Sequence, residues 1–199
     1  MKTRLSVLLL AASASLLVAC VNSPRQQQVV ASYDLGPPVA ALPSTVSDHA
    51  GIALEVRLPG WLDAQAMYYR LAYVDKQRLY RYAQARWVGQ TGPLVQQRLK
   101  QQLGIAPGSA PCTLRVELDD FSQSFDSPDS SRAEIRGEAL LLGKGRAVLG
   151  RLPVRIEAPA PSADAAGGVS ALAAATDKTG EAISLWLKQQ PLAQCRDLK

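Results

Sequence analysis

The sequence is short of the groups most enzymes work with. It has one histidine, His49, and three cysteines, Cys20, Cys112 and Cys195, with no Cys-x-x-Cys pair. Zinc needs clustered Cys and His ligands, so no metal site is expected. There is no Gly-x-Ser-x-Gly elbow, so a serine hydrolase lacks its local signature even though Asp48 adjoins His49. Gly143-Lys144-Gly145 lacks the leading glycine and trailing Ser/Thr of a phosphate loop and reads as a hairpin turn. Asp119-Asp120, and Asp126 with Asp129, match no calcium-loop spacing and read as solvated turns. No catalytic residue and no cofactor are expected. The longest apolar run, Leu5 to Val18, is shorter than the roughly 20 residues a spanning helix needs.

What that run does resemble is a secretory signal. Lys2 and Arg4 precede it, and Leu17-Val18-Ala19-Cys20 ends it with small residues. Those last residues resemble the lipobox of bacterial lipoproteins. The resemblance implies cleavage before Cys20, a diacylglyceryl thioether on its sulfur and an acyl chain such as palmitate on the new amino group. An ordinary signal peptide with a chance cysteine is the alternative. Several acyl chains make a durable anchor, each buried CH₂ contributing about 0.8 kcal/mol. Val21 stands where an aspartate would resemble the inner-membrane retention signal, so the outer membrane, on its periplasmic side, is the expected location.

The expected organisation is a signal peptide over 1–19, a lipidated polar tether over 20–28 and one periplasmic domain over 29–199. Without the signal, 20 Lys+Arg face 17 Asp+Glu, a mild excess spread along the chain. Lys76, Arg78, Arg81 and Arg86 interleave with Tyr80, Tyr82 and Trp87, a mixture that can suit single-stranded nucleic acid. In an exported chain it reads as a solvated strand face, and no nucleic-acid partner is expected. Cys112 and Cys195 remain for an oxidising compartment and are expected to pair; two separate buried thiols are the alternative.

Alternating apolar residues predict strands around Ile52–Val56, Leu114–Leu118, Ala133–Leu141 and Leu152–Ile156; Val29–Leu35, stopped by Gly36-Pro37-Pro38, the aromatic- and aliphatic-rich Met67–Val74, and Leu79–Trp87, with looser alternation, read as further strands. Pro153 cannot donate to a ladder and places the last at an edge. Val95, Leu99 and Leu103 line one face of a helix opened by Thr91-Gly92-Pro93 and stopped by Gly104. Val169, Leu172, Ala173, Thr176, Ile183 and Leu187 predict a second helix, with Gly180 marking close packing on the sheet. The fold class is α+β: a mostly antiparallel sheet with two main helices packed on one face. Trp61, Leu62, Tyr68 and Tyr69 cluster around a turn and strand, and are the candidate partner-binding residues because large amphipathic aromatics suit protein contact.

Tyr33-Asp34-Leu35-Gly36, Leu58-Pro59 followed by Leu62-Asp63, Tyr69-Arg70, Arg86-Trp87, the Leu94/Leu99/Leu103 helix, Leu114-Arg115-Val116 leading to Phe121, and a small-residue-rich final helix occur in that order. Behind a lipobox, this set resembles the ABC-type transport auxiliary lipoprotein family, which includes the lipoprotein partner of the paraquat-inducible intermembrane transport system. Gly89-Gln90-Thr91-Gly92 departs from the shorter, more acidic link of that pattern. The resemblance implies a non-enzymatic outer-membrane component working with an ABC transporter and a mammalian-cell-entry (MCE) domain protein in lipid transport, with docking as its task and a homo-oligomer as one form. A direct carrier of lipid or lipopolysaccharide is the alternative and would need an apolar pocket. An activator of cell-wall synthases would need a longer tether.

Overall fold

The computed structural model describes residues 29–38, 51–106 and 110–196, so Cys20 and its tether, and Asp48 with His49, lie outside the described residues. Seven strands form one sheet: β1 (Ala31–Tyr33), β2 (Ile52–Arg57), β3 (Ala66–Leu71), β4 (Leu79–Trp87), β5 (Cys112–Ser127), β6 (Ser130–Leu142) and β7 (Val148–Pro159). The helices are α1 (Thr91–Leu103), α2 (Ala165–Leu187) and the short α3 (Ala193–Arg196).

The sheet is mixed, which corrects the mostly antiparallel expectation. Its order is β1-β4-β3-β5-β6-β7, with β2 also on β5. β5–β6, β6–β7 and β3–β4 are antiparallel, whereas β1–β4, β2–β5 and β3–β5 are parallel. β5 holds two partners in succession along one edge. β2 pairs with Cys112–Glu117, and β3 with Gln123–Phe125. Between them a bulge at Leu118/Asp120 shifts the phase of the strand. Gly137 lies opposite, at φ 154, where an added Cβ would run into the Glu117 carbonyl. β7, carrying Pro153, ends the strand order.

The two sheet faces differ. Before the bulge, Leu114, Val116 and Leu118 point into the core; after it, Phe121 and Gln123 do. α2 packs on β5, β6 and β7 and against α1, and α1 also packs on β2. Asp164 caps α2 by accepting from the Gly167 N–H at 2.7 Å, and bonds to that N–H and to Ser162 hold its pKa below the usual carboxylate range. The sheet's other face is laced with cross-strand ion pairs: Arg70–Asp120 at 3.0 Å, Arg115–Glu55 at 2.9 Å, Arg132–Glu157 at 3.1 Å, and Glu138 with Arg151. Burial alone would raise the pKa of Glu134, but the guanidiniums of Arg136 and Arg132 hold it below the usual range.

Two buried polar side chains join the helices, and the apolar periodicity did not single them out. Arg98 on α1, 3 % exposed, donates Nε to Asp177 Oδ1 at 2.8 Å and Nη2 to Asp177 Oδ2 at 2.7 Å. Its Nη1 donates to the carbonyls of Leu35, Gly36 (2.8 Å) and Pro37 (2.9 Å), tying down the chain just after β1. Gln102 Nε2 donates to the Asp177 carbonyl at 2.7 Å. Gly180 lies against Gln102, so its missing side chain admits α1 rather than the sheet. A disulfide joins Cys112, at the start of β5, to Cys195 in α3.

Candidate partner-binding surface

After β2 the chain turns at Leu58-Pro59-Gly60. The N–H groups of Leu62 and Asp63 both donate to the Pro59 carbonyl, at 2.8 and 2.9 Å. This tight turn sends neighbouring side chains in opposite directions. Leu62 enters the core at 1 % exposure, and Trp61 stands 50 % exposed. Leu62 is therefore a core residue and is withdrawn from the candidate surface. Tyr68, on β3, braces the tryptophan: its hydroxyl donates to the Trp61 carbonyl at 2.9 Å, and the two rings meet edge to face with centroids 6.2 Å apart. A large amphipathic ring held in place before contact loses little freedom on binding.

The same turn is stapled to α1. Gln90 makes no side-chain cap; instead Asp63 Oδ1 accepts from the Gly92 N–H at 2.8 Å, and the Thr91 hydroxyl donates to the Ala64 carbonyl at 3.0 Å. An added Cβ at Gly92 would press on Asp63 and Leu58, so the glycine permits this close approach. Beyond Asp63 an open depression of about 650 Å³ runs along α1, bounded by Val56, Gln96, Gln97, Lys100 and Gln101 among others. Gln96 Oε1 accepts from the Val56 N–H at 3.0 Å.

Tyr69 parts company with Trp61 and Tyr68. It pairs with Gln123, whose side chain meets the start of α2 through the Asp164 carbonyl at 3.1 Å. Tyr69 thus lies on the helix side of the sheet, packed against Tyr82 (4.6 Å between centroids), Tyr80 (5.3 Å) and Phe125 (5.7 Å). Tyr82 donates its hydroxyl to Gln123 Oε1 at 2.7 Å, and burial, with Tyr69 and Asp164 nearby, pushes its pKa up. This is a half-buried structural cluster. Trp87 is core, 2 % exposed and packed on Phe121. The four candidates therefore resolve into one exposed tryptophan with its half-buried tyrosine brace, one core leucine and one tyrosine on the opposite face.

The carboxylates weighed for calcium go elsewhere. Asp120 pairs with Arg70 and accepts from Ser122, and Asp126 pairs with Arg132. Among the described residues, no three His, Cys, Asp or Glu side chains are grouped to hold a metal, and no helix is long and apolar enough to cross a membrane.

Two solved structures share this architecture. A protein of Xanthomonas campestris, described as DUF330, superposes with a TM-score of 0.65 at 16 % identity, covering 79 % of this chain and 96 % of that one. A crystal structure of an uncharacterized protein superposes with a TM-score of 0.63 at 18 % identity, covering 80 % of this chain and 99 % of that one. At such identities the likeness speaks for the fold. No curated protein matches the sequence. The model of the ABC-type transport auxiliary lipoprotein component matches residues 33–184, from β1 almost to the end of α2, and the chain belongs to that family.

Proposed function

We propose that this chain is a lipid-anchored, non-enzymatic docking module on the periplasmic face of the outer membrane. In this reading Cys20 carries the anchor, and the folded domain receives an MCE-domain protein whose ABC transporter moves lipid between the membranes. The observation that carries it is the exposed, braced Trp61, half in solvent and held by Tyr68. Binding energy at protein interfaces concentrates in a few such anchors. The depression beyond Asp63 favours docking over lipid carriage, because it is open to solvent and sets Gln96, Gln97, Lys100 and Gln101 beside Val56, Pro93 and Ile105, whereas a lipid carrier encloses most of its ligand.

A photo-crosslinking residue at position 61, placed in the full-length chain in intact cells, tests this. Capture of an MCE-domain protein, lost when the label moves to buried Leu62, is the expected result. Recovery of lipid alone from position 61 would overturn docking and favour the carrier.

A further inference from the structure

On the ion-paired sheet face, the arginines of β2, β3, β5 and β6 each have a carboxylate within 4.0 Å. On β7 Arg155, the partner of Arg136, has none among the described residues, and β4 breaks the pattern twice. Arg81 is the partner of Tyr68, and Arg86 the partner of Ala66 and of Ser32, which puts both arginines on that face. Both are exposed, and among the described residues neither has a carboxylate partner; Arg86 donates only to the Ser32 hydroxyl, at 3.2 Å. They border one shallow depression of about 480 Å³ with Val30, Ala66, Ala83 and Ala85. Gln65 and Tyr82 complete the lining, and two uncompensated guanidiniums over the alanines and Val30 make a surface for an anionic group attached to an apolar one. The position matters too. Val29 and Val30, 88 % and 42 % exposed, begin the described chain at this edge, nine residues after Cys20. Nine residues span at most roughly 30 Å.

We infer that the β1–β4 edge of this face lies against the bilayer, with Arg81 and Arg86 holding the phosphates of anionic phospholipids, while Trp61 and Tyr68, on the β3 side, stay at the rim for the proposed partner. The inference rests on the lipid anchor proposed above and adds an orientation to it. The exposed valines touch the headgroup region, the arginines read its charge, and each guanidinium held near an anionic surface favours the docked state by roughly fivefold. The interleaved basic and aromatic residues, a mixture that can suit nucleic acid, thereby find a different use. Their aromatics turn inward, and two of their cations face out.

The test uses the full mature chain, lipidated and inserted into vesicles of phosphatidylcholine alone or with one-third phosphatidylglycerol. A spin label at Gln84, exposed on β4 between the two arginines, and another at Leu185, 64 % exposed on α2, report access of an aqueous relaxation agent. With phosphatidylglycerol, access at position 84 should fall several-fold while position 185 is unchanged. R81E/R86E, or 1 M salt on the unaltered protein, should restore it. Equal access at both positions in anionic vesicles would overturn the inference. So would protection of position 84 that needs an added MCE-domain protein and ignores phosphatidylglycerol, which would make this face a protein interface. The mass of the N-terminal peptide reports separately on the anchor. If Cys20 carries no lipid, the orientation is read from co-sedimentation of the chain with the same anionic vesicles. R81E/R86E must abolish that binding, and its persistence would refute the inference.

Discussion

Truncating Asp177 to alanine should reveal how strongly the two main helices depend on one buried ion pair. The carboxylate holds Arg98 through two bonds of 2.8 and 2.7 Å, and the arginine is 3 % exposed. With the partner gone, a buried guanidinium is left without a counter-charge, which typically costs 3–5 kcal/mol. Three backbone carbonyls, of Leu35, Gly36 and Pro37, still accept from Nη1 and offset part of that loss. The expected destabilisation is therefore near the lower end, about 3 kcal/mol, out of a total of roughly 5–15 kcal/mol. Urea unfolding of the mature domain should show the midpoint falling with an unchanged slope. Arg98→Met with Asp177→Ala should cost less than Asp177→Ala alone, because the stranded charge is gone. A loss below about 1 kcal/mol, or a double variant worse than the single, would refute the claim that a buried charge is being neutralised.

Other consequences can be checked by similar means. Reducing the Cys112–Cys195 bond, which closes a loop of 83 residues, should lower stability by about 4–5 kcal/mol in the chain-entropy view, read as a shift in urea midpoint with and without reductant. Asp164→Ala should remove the cap of α2 and cost about 1 kcal/mol; thermal unfolding unchanged from the parent would contradict that role. The folded pKa of Glu134 lies below its unfolded value, so its contribution is complete above about pH 5 and drains away as pH falls through the depressed folded value. Glu134→Gln should flatten the acid limb of a stability–pH curve, and a limb parallel to the parent's would exclude the mechanism. Trp61→Ala should leave stability within about 1 kcal/mol yet weaken partner capture by more than tenfold, since it removes an exposed anchor and not a core residue.

Alternation, apolar richness and helical spacing in the sequence locate the strands, β5 in its first half only, and both long helices. They could not tell which strands pair or in which direction. β2 alternates Ile52, Leu54 and Val56 identically whether its neighbour runs parallel or antiparallel, so three parallel pairings went unread. The second half of β5 was hidden for another reason. From Phe121 to Phe125 every residue is buried, the core on one side and ion-paired side chains on the other, so alternation vanishes where the strand is most enclosed. Exposure was legible only in part. Trp61 and Leu62 are neighbours of similar apolarity, and only the turn at Pro59 decides which one enters the core. Arg98 and Gln102 leave a faint sequence trace: they adjoin Leu99 and Leu103 and so border the apolar stripe of α1. On the resemblance, the ordered set of short motifs carried further than any single residue, and the matched family agrees with it.

The placement of the two bonded cysteines has a consequence for biogenesis. Cys195 stands four residues before the last residue given, and Cys112 more than eighty before that. A chain threaded through the inner membrane from its N-terminus exposes Cys20 first, Cys112 next and Cys195 third. An oxidant acting on thiols in order of emergence would join the first two, which is the wrong pair. In the lipoprotein proposed here, the thioether occupies the Cys20 sulfur before that can happen. Acylation would then do more than fasten the protein to a membrane: it would keep Cys112 for Cys195, and hold oxidative closure of the domain until Cys195 has crossed.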